Sequence, residues 1–221
     1  MKYYLYLSKT KVEMLASQIP ASALRGISAE FKASIGVLSS TVKTADTPLP
    51  DNVYAKSEAL YKYLSDAGEV GSVANPKAYI AGTLPLRWGT LWDYASDLLF
   101  FFGTSDGRLL ALIGASASAV GEPTRIESRH SLEYYSLRFL NGMLDSKLVF
   151  EERERSEYFD RQTTRDYASY MKAIGAAASQ LPQEVRKIEF LARVLFVDQD
   201  TDPALVVATP LFAALASDDS R

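Results

Sequence analysis

The sequence predicts an α+β fold: a mostly antiparallel sheet from the N-terminal half, packed against helices from the C-terminal half. Three observations predict it. Ile27, Ala29, Phe31, Ala33, Ile35 and Val37 alternate with Ser28, Glu30, Lys32 and Ser34, the period of two of a half-buried strand. The apolar runs Leu98–Phe102 and Leu109–Ile113 flank Gly103-Thr104-Ser105-Asp106-Gly107-Arg108, and a Gly- and Asp-rich turn between two such runs is a hairpin pattern. From about Ser128 the spacing becomes helical: Leu132, Tyr135, Ser136, Phe139, Leu140 and Met143 line one face of a 3.6-residue period.

The elements follow in order. Tyr3–Leu7 is aromatic and aliphatic, as in a strand covered on both faces. Val12, Leu15, Ala16 and Ile19 recur at helical spacing until Pro20, and Thr10 to Glu13 has the spacing of a capping box. Thr44 to Asn52, with Pro48 and Pro50, is a loop. Val53 to Ala67 predicts a helix stopped by Gly68. Lys77 to Leu86 predicts a strand through Tyr79, Ile80, Leu84 and Leu86. Beyond Met143, Glu151 to Asp166 carries i, i+4 acid–arginine pairs. Tyr167, Tyr170, Met171, Ile174 and Ala178 form another helical stripe. Pro182, placed as a first helical residue, opens a third helix through Val185, Ile188, Ala192 and Leu195. Leu205 to Ala208 is a short strand able to rejoin the sheet, and Pro210 opens a last apolar segment, Leu211 to Ala216. The expected organisation is one domain over 1–217 with a frayed tail, 218–221.

Composition narrows the classes. The chain has 221 residues, 48% of them hydrophobic, with a net charge of −3, which is enough apolar material for a sizeable core. No basic excess favours nucleic acid or an anionic membrane. With no cysteine and one histidine, disulfides, thiolate metal sites and multi-histidine metal sites are excluded. No apolar run reaches the roughly 20 residues of a membrane span, and the opening run is too short for a signal-peptide core. The expectation is a cytoplasmic protein; a second copy of the chain stays among the admissible partners.

Several patterns carry chemistry on paper. Ser8 and Lys11 have the S-x-x-K spacing of serine acylases, but no S-D-N or K-T-G accompanies them, and Ser8 stands where a helix cap belongs. The small residues from Gly103 to Gly121, Ser116 among them, could offer backbone N–H groups to phosphate, although G-x-G-x-x-G and the Walker ending are both absent. His130 could serve as a base, yet no G-x-S-x-G accompanies it. The acidic run Glu151 to Asp160 is interleaved with arginines and suits a solvated helix face.

Leu84 to Trp92 stands out. Arg87, Trp88 and Trp92 fall within a few residues at the end of an expected strand. A guanidinium forks onto a carboxylate or phosphate and an indole offers a stacking face, so together they suit an anionic ligand with a ring. The competing reading is an aromatic core with a snorkelling arginine, with Asp93 as its counter-ion.

Lys2-Tyr3-Tyr4-Leu5-Tyr6-Leu7-Ser8, Leu86-Arg87-Trp88-Gly89 with Phe101-Phe102-Gly103, and Thr209-Pro210-Leu211-Phe212 together resemble the start, centre and end of an uncharacterised bacterial, largely actinobacterial, domain family of unknown function. The resemblance implies a stand-alone bacterial protein and carries over no catalytic residue and no cofactor. Three functional classes follow. The first is a small-molecule binding or sensing module with Arg87, Trp88, Trp92, Ser116 and His130 as candidate ligand residues and no metal. The second is a hydrolase or transferase acting on a phosphate or carboxylate substrate. The third is a protein–protein interaction module.

Overall fold

The computed structural model describes residues 2–20, 23, 52–91, 95–120, 174, 175, 177–200 and 202–216. The expected strand Ser28–Val37, the stripe Leu132–Met143, the charge-dense segment after Glu151 and the tail 218–221 lie outside the described residues. The chain divides into two compact units, one of Met1–Leu7 with Gly71–Arg221 and one of Ser8–Val70.

The larger unit is built, among the described residues, on six strands, β1 (Tyr3–Leu7), β3 (Tyr79–Leu91), β4 (Ala95–Ser105), β5 (Arg108–Ala115), β6 (Arg186–Asp198) and β7 (Ala204–Leu215), while the two-residue β2 (Val70–Gly71) stands where the chain passes from one unit to the other. β3 pairs with β4, β4 with β5, β6 with β7 and β3 with β6, all antiparallel, while β5 and β7 run parallel. The ring β3-β4-β5-β7-β6 therefore closes on itself as a five-stranded barrel. This corrects the α+β expectation. The last two barrel strands come from the C-terminal region that was expected to supply helices packed on an open sheet. Residues 177–180 are helical, but Pro182 follows this helix rather than opening another. Val185 to Leu195, expected as a helix, lies mostly in β6, and the short strand expected at Leu205–Ala208 extends to Leu215.

Closure depends on where strands change partners. Tyr79 to Leu86 of β3 pairs with β6, and Leu86 to Leu91 pairs with β4. Leu86 is thus the corner. Opposite it, Gly103 has no side chain, because a Cβ there would run into the Leu86 side chain and the Pro85 carbonyl, a use of glycine typical of barrel corners. One edge of β7 is taken first by β5, through Ala204–Ala208, and then by β1, through Phe212–Leu215. The β4–β5 hairpin forms as the sequence predicts. Its two loop residues, Asp106 and Gly107, have φ of 52° and 72°, the left-handed pair of a type I′ turn.

Alternate residues of every barrel strand point inward. Ile80, Leu86, Leu99, Phe101, Leu110, Leu112, Ile188, Phe190, Ala192, Val206, Ala208 and Ala213 form one buried cluster, with Tyr6 of β1 among them. The outward residues Leu98, Phe100, Ala111, Ile113, Leu191, Leu205, Val207 and Phe212 are buried as well. Burial on both faces explains why β7 reads as a nearly unbroken apolar run.

The smaller unit contains α1 (Lys9–Ala16) and α2 (Val53–Asp66). Ser8 occupies the N-cap position of α1, yet its side chain makes no capping hydrogen bond. Asn52 caps α2, its side chain accepting from the Tyr54 N–H at 2.9 Å. Gly68, at φ 71°, stops α2 as expected.

Candidate functional site

β3 carries both Arg87 and Trp88, and strand geometry sends consecutive side chains to opposite faces. Trp88 packs against the lumen cluster. Its ring stacks on Phe101 at 6.0 Å between centroids with the planes 18° apart, and Tyr6 meets Phe101 edge-on at 6.4 Å. Trp88 is thus one layer of an aromatic stack inside the barrel.

Arg87 lies on the outer side, half-buried. Phe102 is its cross-strand neighbour on β4, and the guanidinium carbon sits 5.6 Å from the centre of the Phe102 ring. Arg87 Nη1 donates to Gln183 Oε1 at 3.4 Å, a long and exposed contact. No ion pair to Arg87 occurs among the described residues, in contrast to Lys2, which meets Glu189 at 2.7 Å, and Arg186, which meets Glu184. The outer face of β3 and β4 therefore presents a guanidinium on an aromatic ring, with a side-chain amide at its edge. Just beyond, Gly89 leaves room for Leu181 and Pro182, since a Cβ on Gly89 would lie 3.3 Å from Pro182 Cδ.

Ser116 is 1% exposed, in a 3-10 turn (Ser116–Ser118) that follows β5. Trp92, Asp93 and His130 lie outside the described residues. The structure does not bring Arg87, Trp88 and Ser116 to one place: Arg87 is outside the barrel, Trp88 inside it, and Ser116 buried beyond the end of β5. Among the described residues no group of three or more His, Asp or Glu could hold a metal ion, and no helix is long and apolar enough to cross a membrane.

Sequence reasoning missed two of the residues around Arg87. Phe102 was readable as a strand residue, but its register opposite Arg87 is set only when β3 pairs with β4. Gln183 is far away in sequence and carries no signal. Arg108 was also missed, although its signal was in plain view. It stands two residues before Leu110 and four before Leu112, on the inward face of β5, where a charge breaks an otherwise apolar alternation.

A closed five-stranded β-barrel with an added edge strand, a cation on its flank and no metal cluster among its described residues defines the class. The chain belongs to the family of unknown function DUF7019, whose model matches residues 2–217. No curated protein and no solved structure matches it.

Proposed function

We propose that the protein is a small-molecule binding module that holds an anionic, ring-bearing ligand on the outer face of β3 and β4. The observation that carries this is Arg87, half-buried, laid on Phe102 and without a carboxylate partner among the described residues. Its remaining donors suit a fork onto a carboxylate or phosphate, and a ligand ring extends the Phe102–guanidinium stack.

Ring burial and charge favour a small ligand over a nucleic acid on this barrel. The ring order, with one parallel pair, is similar to that of the OB-fold, a five-stranded Greek-key barrel whose second and third strands present a face to oligonucleotides. Such faces work by exposing aromatic rings for base stacking. On the corresponding strands here, β4 and β5, outward-facing Phe100 is fully buried and half-buried Phe102 carries the Arg87 guanidinium, which makes one stacking position rather than a track for successive bases, and the net charge of −3 supplies no attraction to phosphate backbones.

A thermal-shift panel of nucleoside monophosphates and aromatic carboxylates tests the reading on the full chain. At least one compound raises Tm, Arg87→Ala weakens its affinity by about 10–100-fold, and Arg87→Lys restores little of it. A panel without a stabilising member, or a shift that survives Arg87→Ala, overturns the proposal.

A further inference from the structure

We propose that the ligand on the outer face carries a diphosphate, and that Lys187 on β6 holds its second phosphoryl group while Arg87 forks onto the first. The inference rests on the Arg87 reading and adds to it the class of the ligand and a residue that selects it.

Lys187 comes to this face by register. Leu86 pairs with Gly103 on β4 and with Arg186 on β6, so those two strands lie on opposite edges of β3. Lys187 is the cross-strand partner of Pro85, and Pro85 shares a face with Arg87 two residues further on. Arg87 and Lys187 are therefore diagonal neighbours on the outer face, about 7–8 Å apart along the sheet and within reach of one ligand through their long side chains. Arg87 has the Phe102 ring on one flank and β6 with Lys187 on the other. The Lys187 carbonyl accepts from the Ala216 N–H at 2.9 Å, so the strand holds its place without the side chain. Lys187 is exposed, and the contact between Arg87 and Gln183 lies at the surface. A ligand reaches both cations from solvent.

The acids beside them are taken. Glu184 meets Arg186, and Glu189 meets Lys2 at 2.7 Å. Among the described residues neither Arg87 nor Lys187 has an ion pair. In a chain whose net charge is −3, two unmatched cations on one strand corner make a local attraction for anions. Their mutual repulsion is relieved when negative charge sits between them. A carboxylate spends both oxygens on the guanidinium fork and leaves the ammonium unmet. A diphosphate gives the fork one phosphoryl group and keeps a second for a point charge that needs no fixed direction. Arg108 has no part in this site, since it shares the lumen face with Leu110 and Leu112 and its Nη1 is closed to solvent.

The test measures binding of adenosine monophosphate and adenosine diphosphate to the full chain by calorimetry, in magnesium-free buffer at constant ionic strength. The two probes share a ring and differ by one phosphoryl group. The wild-type protein binds the diphosphate about 3–10-fold more tightly. Lys187→Gln removes that advantage without lowering the Tm of the unliganded protein. Arg193→Gln, which deletes the same charge on an exposed residue roughly 20 Å along β6, leaves the advantage in place. Arg87→Ala weakens both probes. Equal binding of the two probes by wild type, an advantage that survives Lys187→Gln, an advantage lost equally in Arg193→Gln, or a wild-type protein that binds neither probe overturns the inference. If Arg87→Ala weakens both probes but the diphosphate has no advantage, this inference fails and the Arg87 reading stands. If both probes bind and Arg87→Ala leaves them unchanged, the two fail together.

Discussion

Gly114 is shaped by a neighbour. It lies on the inward face of β5, and a Cβ there would stand 2.5–2.9 Å from the ring and hydroxyl of Tyr6, which is fully buried. The aromatic column Tyr6, Phe101, Trp88 needs that space, so Gly114→Ala is expected to cost about 1–3 kcal/mol through overpacking. Gly82 is the control. A Cβ there would approach only the Phe190 ring, at 3.8 Å, which is ordinary contact, so Gly82→Ala is expected to be neutral or to stabilise by up to about 1 kcal/mol. Urea midpoints of the two variants decide the matter; equal losses would show that Tyr6 does not fill the space beside Gly114. At this scale the sequence told half the story of Arg87 and Trp88. Their chemistry was legible and so was their place on a strand. Their separation follows from the same strand rule, since a motif written as neighbours in sequence is split between two faces once it lies in a sheet.

Among the elements, the β4–β5 hairpin and β6 show what a local pattern can and cannot settle. The hairpin was legible because its turn chemistry is local: Asp106 and Gly107 both need positive φ, and Asp-Gly supplies it. No atom lies within 4 Å of a Cβ built on Gly107, so any loss in Gly107→Ala is backbone strain alone. A loss of about 1–2 kcal/mol in thermal or urea unfolding is expected, with Gly107→Asn costing less; an unchanged midpoint would show that the turn relaxes to another type. β6 reads as a helix because its alternation is interrupted. Ile188, Phe190, Ala192 and Val194 face the lumen side between Lys187, Glu189 and Arg193, but buried Leu191 stands where the outer face is otherwise charged. Val185, Ile188, Ala192 and Leu195 satisfy a helical template at the same time. Length, which separates short strands from helices, fails as well, since β6 has 13 residues. The information that makes it a strand is non-local: the edges offered by β3 and β7.

The whole barrel exists because a few residues let strands change partners, and that is the part a single sequence hides most completely. The strands β1, β3, β4 and β5 were each foreseeable, but a parallel pairing of β5 with β7, across some 90 intervening residues, leaves no mark on local periodicity. Leu86 is where closure concentrates, because it faces Gly103 on β4 and Arg186 on β6 at once and is fully buried in the lumen. Leu86→Ala removes the side chain that fills the corner, leaving a cavity that both seams share. The expected cost is about 2–5 kcal/mol, with a lowered urea midpoint. The ring makes a further demand. If β3 holds β4 and β6 together, neither seam opens before the other, so backbone and side-chain probes should report one transition. In a Trp92→Phe background the fluorescence comes from Trp88, stacked on Phe101 inside the barrel, while far-UV circular dichroism reports the strands. Leu86→Ala should move both midpoints together by the same amount. A fluorescence transition that precedes the loss of strand signal would show that the corner opens on its own, and that the five strands form a sheet with a separable seam rather than a cooperative ring.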